Sequence, residues 1–333
     1  MRIAFTSCAS TNLVPDQPIW DDIRTSAPKH VVLLGDNFYN DVPDVSMSQL
    51  QAMSDWEFAE HLFVRYQQQF SEPHFRKLVA APSITLHAIW DDHDFAWNDA
   101  AGGQMLATPK QADKVKISTS YMRAFRQALA AKDLGTFPND PGAPEFWVDY
   151  RAPNFEPLGA TSIALEDDGR AWLHLTDGRT LRKKPEILGA AQRAQLAAAF
   201  AAHPDALHII ASGVTFSQGD GWHKYPTDSE WLLNTMGSRG WLMLSGDIHK
   251  NLLKKYKPAA ANGMLVDATA SGAAIHYNLN APFPGREVRN YGLLDLHADH
   301  IEIQLRAFFP AYEEIGPEPH PYPRTVGGSL VVA

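Results

Sequence analysis

The sequence predicts a mixed α/β fold, in which two mixed β-sheets lie between layers of helices in one domain. Two observations lead to this prediction. In the first half of the chain, apolar strand-like runs alternate with helical patterns, which is typical of βαβ units in a layered architecture. The last third consists mainly of strand-like runs, and no internal repeat or low-complexity linker divides the 333 residues.

Three strands and two helices are predicted in the first half. Apolar residues recur at spacings of three and four between Trp56 and Phe70, which predicts a helix over 54–70. A second helix is predicted over 112–131, where apolar residues recur every four positions from Ile117. The strand-like runs are IAFTSC (3–8), VVLLGDNFY (31–39) and ITLHAIWDDHD (84–94).

The second half opens with a Pro-, Gly- and Asn-rich stretch, 135–160, that predicts a surface excursion with one short strand. Asp168 and Gly169 lie between two strand-like runs, a pattern typical of a two-residue hairpin turn. An Ala-rich helix is predicted at about 190–202. The further strand-like runs are HIIASG (208–213), WLMLSGD (241–247), MLVDATA (264–270), YGLLDLHAD (291–299) and HIEIQLRAF (300–308). The domain is predicted to span 1–310, followed by a Pro-rich surface tail, 311–333.

Composition is ordinary for a soluble globular protein, with 45% hydrophobic and 20% charged residues. The formal net charge of −9 argues against general binding to nucleic acids or to anionic membranes. The chain has one cysteine, so it can form no intrachain disulfide. No apolar segment of signal-peptide length opens the chain, and no run approaches the ~20 apolar residues of a membrane span. A cytoplasmic location is therefore predicted.

Four of the strand-like runs end on residue types that bind metal ions. In open α/β sheets, ligands bind beyond the carboxyl ends of the strands, so these loops are expected to converge. The four ends are TSC with Cys8, GDNFY with Asp36 and Tyr39, WDDHD with Asp91 to Asp94, and SGDIH with Asp247 and His249. The sequence therefore predicts a polynuclear metal site and, as the leading function, a metal-dependent phosphoester hydrolase.

The acidic cluster WDDHD carries the strongest chemical argument. Its neighbouring carboxylates repel and raise one another's pKa values unless a cation neutralises them. A metal-ligand role suits Asp92, and His93 could donate a proton or hydrogen bond to the phosphoryl group or leaving oxygen. Asp247 and His249 alternate across one residue, so both can reach the same metal cluster.

Other candidates allow two interpretations. Asp36 can offer its oxygens to two cations, or it can cap a turn. Tyr39 can bind a ferric ion as a phenolate, or it can be a packing residue. Cys8 can be a small buried hydrophobe, whereas a thiolate ligand would favour iron. Arg179 and Arg182 could hold phosphate oxygens through paired hydrogen bonds, or they could form surface salt bridges.

Together these motifs resemble the PhoD-like (alkaline phosphatase D) branch of the calcineurin-like metallophosphoesterases, which is related in its site to purple acid phosphatases. The resemblance implies a four-layer αββα sandwich and phosphomonoesterase or phosphodiesterase activity. It covers residues 6 to 249. The matching pieces, in the family's order, are TSC, GDNFY, WDDHD, DGRTLR, ILGAAQRAQL, GDGWHKYP and SGDIH.

The resemblance also implies a binuclear or trinuclear metal centre. An iron, as Fe³⁺, would have four ligands, with Asp36 bridging to a second metal; these ligands are Cys8, Asp36, Tyr39 and His249. Asp92 and Asp247 occupy positions that are Asn and His in the wider superfamily. An all-oxygen second site suits Ca²⁺, Mn²⁺ or Mg²⁺ better than zinc.

One part of the family pattern is missing. The wider superfamily has a further His between the second and third loops, where this chain reads IIASGVTFSQ. Ser212 or a water molecule is a candidate to fill that gap, and Asn98 is another possible oxygen ligand.

The mechanism expected from these residues is in-line attack on phosphorus by a metal-bound hydroxide. His93 would protonate or hold the leaving oxygen, and Arg179 would orient a small phosphorylated substrate. Two alternatives remain: an iron-dependent oxygenase or lyase, which the excess of carboxylates disfavours, and a non-catalytic metal-binding protein of the same fold.

Overall fold

Two mixed β-sheets form the centre of the molecule. The computed structural model describes residues 1–142, 155–166, 169–237, 239–257, 263–276, 287–308, 312–313 and 320–323. The strands are β1 (Arg2–Thr6), β2 (His30–Leu34), β3 (Thr85–Ile89), β4 (Thr161–Ala164), β5 (Ala171–Leu175), β6 (Leu207–Ala211), β7 (Gly240–Ser245), β8 (Asn251–Tyr256), β9 (Met264–Ala270), β10 (Ile275–His276), β11 (Glu287–Leu296), β12 (His300–Phe308), β13 (Tyr312–Glu313) and β14 (His320–Pro323).

The strand order of each sheet shows how distant parts of the chain combine. The first sheet has the order β13-β12-β11-β1-β2-β3, with β10 paired to β11 and β14 paired to β12. The second has the order β4-β5-β6-β7-β9-β8. In the first sheet β1, β2 and β3 run parallel, whereas β11 is antiparallel to β1. In the second, β5, β6, β7 and β9 run parallel.

Helices cover the outer faces of both sheets. They are α1 (Ile19–Thr25), α2 (Met47–Ala52), α3 (Asp55–Ser71), α4 (Pro73–Val79), α5 (Asp92–Phe95), α6 (Gly102–Leu106), α7 (Pro109–Ala131), α8 (Ala190–Ala202) and α9 (Pro226–Met236). None of the helices in the described segments combines the length and the apolar character needed to cross a bilayer.

Strand β2 shows why the layers form. Its side chains alternate between two cores, as the twofold repeat of a strand requires. Val32 and Leu34 join the core between the two sheets, whereas Val31 and Leu33 join the core beneath the helices. A parallel strand buried on both faces has no polar face, so it reads as a continuous apolar run. The predicted αββα sandwich of two mixed sheets is confirmed.

The helix predicted over 54–70 is confirmed as α3. Of the apolar residues that give the helical spacing, Tyr66 and Phe70 are buried, whereas Trp56 is 46% exposed. The helix begins with a capping box, because Ser54 accepts from the amide of Glu57 and the Glu57 carboxylate accepts from the amide of Ser54. The helices predicted over 112–131 and 190–202 are also confirmed, as α7 and α8.

Three predictions for the second half have different outcomes. Strands β4 and β5 pair antiparallel as predicted, but their connection is longer than two residues, since β4 ends at Ala164 and β5 begins at Ala171. Asp168 and residues 143–154 of the excursion at 135–160 lie outside the described residues. Part of the Pro-rich tail adds a strand, because His320–Pro323 pairs with β12.

Candidate metal centre

The candidate site residues follow the carboxyl ends of four strands. Strand β1 leads to Cys8, β2 to Asp36 and Tyr39, β3 to the WDDHD cluster at 90–94, and β7 to Asp247 and His249. The first two loops are hydrogen-bonded directly, since the Cys8 amide donates to the Gly35 carbonyl at 3.2 Å. Gly35 has φ +96°, and a Cβ there would lie 2.5 Å from the Asp91 amide nitrogen, so the close approach of two loops requires glycine.

Four of the predicted ligands form one contact group. The Cys8 thiol donates to Asp36 Oδ2 at 3.4 Å, and the Tyr39 hydroxyl donates to the same oxygen at 3.2 Å. The Tyr39 hydroxyl also lies 3.0 Å from His249 Nε2. Cys8, Asp36 and Tyr39 are buried, and His249 is partly exposed. These are the four residues for which the sequence resemblance implied iron binding.

The other predicted ligands form a second, adjoining group. Carboxylate oxygens of Asp91, Asp92 and Asp247 lie within 4.8 Å of one another. One potential ligand atom from each of Asp36, Asp92 and His93 also lies within 4.8 Å of the others. Asp36 Oδ2 faces Cys8 and Tyr39, whereas its Oδ1 accepts from the His93 amide at 3.2 Å. Asp36 therefore lies between the two groups, and the structure brings all six predicted ligands together.

Four of the six predicted ligands have left-handed backbone conformations. Their φ values are 61° at Cys8, 49° at Asp36, 81° at Asp247 and 51° at His249. Such conformations cost non-glycine residues about 1–3 kcal/mol each and occur preferentially at functional sites. In the described residues, only Ala27, Asp99 and Lys132 share this feature among non-glycine residues.

The donor set fits a cation, because the carboxylates are crowded in a buried place. Burial and the neighbouring negative charges raise the pKa of Asp36 well above its usual value. Burial chiefly raises the pKa of Asp91 as well, and with the Asp92 charge it raises that of Asp247 to about 6. Asp91 Oδ2 is buried without a hydrogen-bond partner. A metal ion would neutralise this charge and restore the ionised form of the carboxylates.

His93 lies beside both groups and has the opposite electrostatic environment. Burial lowers its pKa, but the Asp92 charge and the hydrogen bond to Asp41 outweigh this, so that the pKa of His93 is raised to about 9. The contact from His93 Nδ1 to Asp41 Oδ1 measures 2.6 Å. The imidazole packs against the Tyr39 ring at a centroid distance of 4.1 Å. This geometry suits a residue that holds or donates a proton next to the carboxylates.

Arg179 is fully buried and contacts the acidic cluster. Its Nε donates to Asp91 Oδ1 at 2.6 Å, and its Nη2 lies 3.6 Å from Asp92 Oδ1. The contact is one reason that the pKa of Asp92 is lowered, since the guanidinium and the His93 charge outweigh the effect of burial. Its observed partners are thus carboxylates and the Ala100 carbonyl. Its substrate-binding role stays a prediction.

Arg182 is likewise buried, so the alternative of surface salt bridges is wrong for both arginines. Arg182 Nε donates to the Tyr225 hydroxyl at 2.6 Å, and its Nη2 is paired with Asp220. Tyr225 belongs to the loop GDGWHKYP, whose Trp222 is also buried. This loop is therefore held by an arginine that lies 43 positions earlier in the chain.

Two residues that support the site, Asp41 and Ser271, were not predicted from the sequence. Asp41 holds His93, as described above. The Ser271 hydroxyl lies 3.3 Å from Cys8 Sγ and accepts from the His249 amide at 2.9 Å, which ties two candidate ligands together. No periodicity signals these residues. Asp41 could have been noticed because it follows Tyr39 by two positions, whereas Ser271 has no comparable signal.

The two residues proposed to complete the second group are used elsewhere. The Ser212 hydroxyl donates to the Val214 carbonyl at 2.6 Å and accepts from Trp222 Nε1 at 2.9 Å. Asn98 is exposed, and its amide donates to Asp99 at 3.0 Å. Asp91 instead provides the additional oxygens near Asp92 and Asp247.

Comparison with known proteins identifies the fold. No family model and no curated protein matches the sequence. Among solved structures, the chain is similar to PhoD, with a TM-score of 0.64 and 16% identity over 99% of this chain and 71% of that chain. It is more distantly similar to TT1561 of Thermus thermophilus, with a TM-score of 0.40 and 11% identity over 91% of this chain and 97% of that one.

A predicted phosphoesterase from Streptococcus pneumoniae gives a TM-score of 0.32 and 8% identity, over 97% of both chains. The two distant similarities carry no argument of their own. At 16% identity, the likeness to PhoD concerns the fold alone. The chain therefore has the αββα fold of PhoD, and the resemblance drawn from its motifs is confirmed at the level of the fold.

Proposed function

We propose that the protein is a metal-dependent phosphoester hydrolase that acts on small phosphorylated substrates, as a phosphomonoesterase, a phosphodiesterase or both. The convergence of six potential metal ligands from four separate loops carries this proposal. The fold supports it, because PhoD has the same architecture. The strained backbone at four of the ligands supports it independently.

The two contact groups suggest how the ligands are divided. Cys8, Asp36, Tyr39 and His249 offer sulfur, phenolic oxygen, carboxylate and imidazole donors, a set that favours iron, as Fe³⁺. Asp92 and Asp247, with Asp91 beside them, offer only oxygen, which suits Ca²⁺, Mn²⁺ or Mg²⁺. Because its two oxygens face different groups, Asp36 is the proposed bridging ligand.

When bound, cations at this centre supply Lewis-acid stabilisation of the phosphoryl oxygens and lower the pKa of the attacking water. His93 is placed to protonate or hold the leaving oxygen, and Asp41 fixes its ring through Nδ1. Arg179 lowers the pKa of Asp92 and holds Asp91 in position from the buried side. Its proposed role in orienting the substrate requires that its guanidinium also reach the substrate.

Metal analysis combined with hydrolysis assays tests this proposal. The purified protein is expected to contain iron and a second metal, and to hydrolyse an aryl phosphate monoester, an aryl phosphate diester or both. Asp36→Asn is expected to lose turnover and part of the metal content while remaining folded. Asp267→Asn is the matched control, because Asp267 is a fully buried carboxylate on β9 whose hydrogen-bond partners, Ser245 and the Phe216 amide, are not among the predicted ligands.

Two outcomes would contradict the proposal. Full turnover by Asp36→Asn would refute the bridging assignment. A protein that holds its metals but cleaves neither ester would instead favour the non-catalytic metal-binding alternative.

A further inference from the structure

The loop 218–225 lies directly against Asp247, one of the predicted ligands of the second metal. Gly219 has φ +55°, and a Cβ there would lie 2.3 Å from Asp247 Oδ2, so the Asp247 carboxylate packs on the backbone of the loop. Burial and the Asp92 charge raise the pKa of Asp247, and a hydrogen bond from the backbone of Asp220 counteracts them. The direction in which Asp247 points therefore depends on where this loop is held.

The side chain of Asp220 connects the loop to a buried arginine. Arg182 is fully buried, and its Nη2 donates to both the carboxylate and the backbone carbonyl of Asp220. Its Nε donates to the Tyr225 hydroxyl at 2.6 Å, and its guanidinium carbon lies 4.4 Å from the centre of the Tyr225 ring. One side chain thus holds the loop near its beginning and at its end, through hydrogen bonds that its charge strengthens.

Arg182 is itself fixed by backbone hydrogen bonds. Its amide donates to the Arg179 carbonyl at 3.2 Å, and its carbonyl accepts from the Gly103 amide at 3.1 Å. A Cβ at Gly103 would lie 3.0 Å from that carbonyl oxygen, so helix α6 begins in close contact with this segment. The guanidinium therefore extends from a backbone that is held in place, as a positioning residue requires.

We propose that Arg182 is a positioning residue, which orients Asp247 through Asp220 and so maintains the all-oxygen group for its cation. This role rests on the proposed metal centre. In the described residues, none of the hydrogen bonds of the Arg182 side chain reaches a predicted ligand, so Arg182 acts through the loop. The proposal differs from the phosphate-binding interpretation, which would need the guanidinium to leave Asp220.

Charge alone predicts the opposite effect of removing Arg182. A positive side chain near a cation site repels the cation, so its loss would strengthen metal binding. Positioning predicts weaker binding, because the loop that supports Asp247 is released. Asp220→Ala and Gly219→Ala should weaken binding as well, since the first removes the carboxylate that Arg182 holds and the second places a methyl group against Asp247 Oδ2. The sign of the change in affinity therefore separates the two explanations.

Chelator competition with Mn²⁺ as the probe tests the proposal. The purified holoprotein is equilibrated with Mn²⁺ and a series of EGTA concentrations, and the manganese and iron that remain bound after gel filtration are measured by elemental analysis. Arg182→Met, Asp220→Ala and Gly219→Ala are each expected to bind Mn²⁺ about 10- to 100-fold more weakly than the wild type and to keep their iron. The double variant Arg182→Met, Asp220→Ala should bind no more weakly than the weaker single variant, because both changes disrupt the same contact.

Arg193→Met is the matched control. The Arg193 side chain is largely buried and pairs with Asp228, a fully buried carboxylate that accepts from the amides of Ile187 and Leu188. None of these residues is a predicted ligand, so Arg193→Met should bind Mn²⁺ as the wild type does. Far-ultraviolet circular dichroism confirms that each variant is folded. Asp220→Ala and Gly219→Ala carry the test if Arg182→Met does not fold.

Hydrolysis of an aryl phosphate gives a second reading. At saturating Mn²⁺, Arg182→Met is expected to recover activity with an unchanged KM, whereas a raised KM would indicate a substrate-binding arginine and overturn the proposal. Wild-type Mn²⁺ affinity in both Asp220→Ala and Gly219→Ala, or stronger Mn²⁺ binding in Arg182→Met, would overturn it while leaving the proposed function intact. A wild type that binds iron but no Mn²⁺ would instead refute the second metal of the proposed function, and this role with it.

Discussion

Replacing Arg179 with methionine should destabilise the protein strongly. Arg179 is fully buried, and both its Nε and its Nη2 lie 2.6 Å from Asp91 Oδ1. Methionine retains much of the side-chain length and removes the charge. Asp91 then remains in a buried position next to Asp92, and no other cationic side chain in the described part of the chain forms an ion pair with it.

The structure allows the size of this effect to be estimated. Removing one partner of a buried ion pair typically costs about 3–5 kcal/mol, because the remaining charge is left without a partner. An exposed pair is worth only about 0–1 kcal/mol. Arg2 provides that comparison, since it binds Asp295 through two hydrogen bonds of 2.9 Å while remaining 38% exposed.

Urea unfolding, followed by tryptophan fluorescence, measures the effect on the free energy of unfolding. Arg179→Met is expected to lose about 3–5 kcal/mol and Arg2→Met less than about 1 kcal/mol. The double variant Arg179→Met, Asp91→Asn should lose less than the sum of its single changes, because both single changes disrupt the same pair. Wild-type stability of Arg179→Met, together with a raised KM for an aryl phosphate, would refute this reasoning and favour a substrate-binding arginine.

Three further predictions address catalysis, pH dependence and packing. His93→Ala should lower kcat about 10²- to 10⁴-fold at unchanged metal content, measured with an aryl phosphate. Burial lowers the pKa of His174 to about 3 and that of His208 to about 4, so neither binds a proton in the folded protein at pH 5, whereas the unfolded chain does below about pH 6.5. As the pH falls from about 6.5 to 4, the free energy of unfolding should therefore decrease by about 1.4 kcal/mol per pH unit for each histidine. In urea unfolding of His208→Gln, the free energy of unfolding should depend less steeply on pH. Gly292→Ala should cost about 1–3 kcal/mol and lower the Tm, since a Cβ there would lie 2.1 Å from the Phe5 ring. An unchanged pH dependence in His208→Gln would contradict the second prediction, and an unchanged Tm in Gly292→Ala would contradict the third.

The elements that could be predicted from the sequence are those whose burial leaves a local pattern. Strand β2 is apolar throughout because it faces two cores, and α8 begins and ends where the Ala-rich segment does. One position of α3 departs from the pattern, since Trp56 fits the helical spacing but is exposed. Spacing shows that a helix forms, whereas the position of its neighbours decides which face is buried. Short helices such as α4 were missed because seven residues provide little periodicity.

The candidate ligands could be predicted because each follows a strand directly, so that local sequence fixes its place at the sheet edge. The residues that contact these ligands could not be predicted from the sequence. Arg179 lies 88 positions after Asp91 and reaches it only because the second sheet packs on the first. The same holds for Ser271, which contacts Cys8 across 263 positions. Metal binding by the six residues remains a prediction that their geometry supports.

Two features of the candidate centre, its left-handed backbone and its crowded carboxylates, destabilise the folded protein, and metal binding explains both. Glycine at Cys8, Asp36, Asp247 or His249 would relieve the left-handed backbone, yet it would also remove a donor atom. Uncharged residues at Asp36 and Asp91 would relieve the crowding that raises the pKa of these carboxyls, again at the loss of donors. A site with a purely structural role would require neither the left-handed backbone nor the crowded carboxylates. A bound cation offsets the charge directly, and a polynuclear centre requires its donors to converge in this way, which is why metal binding accounts for both features together.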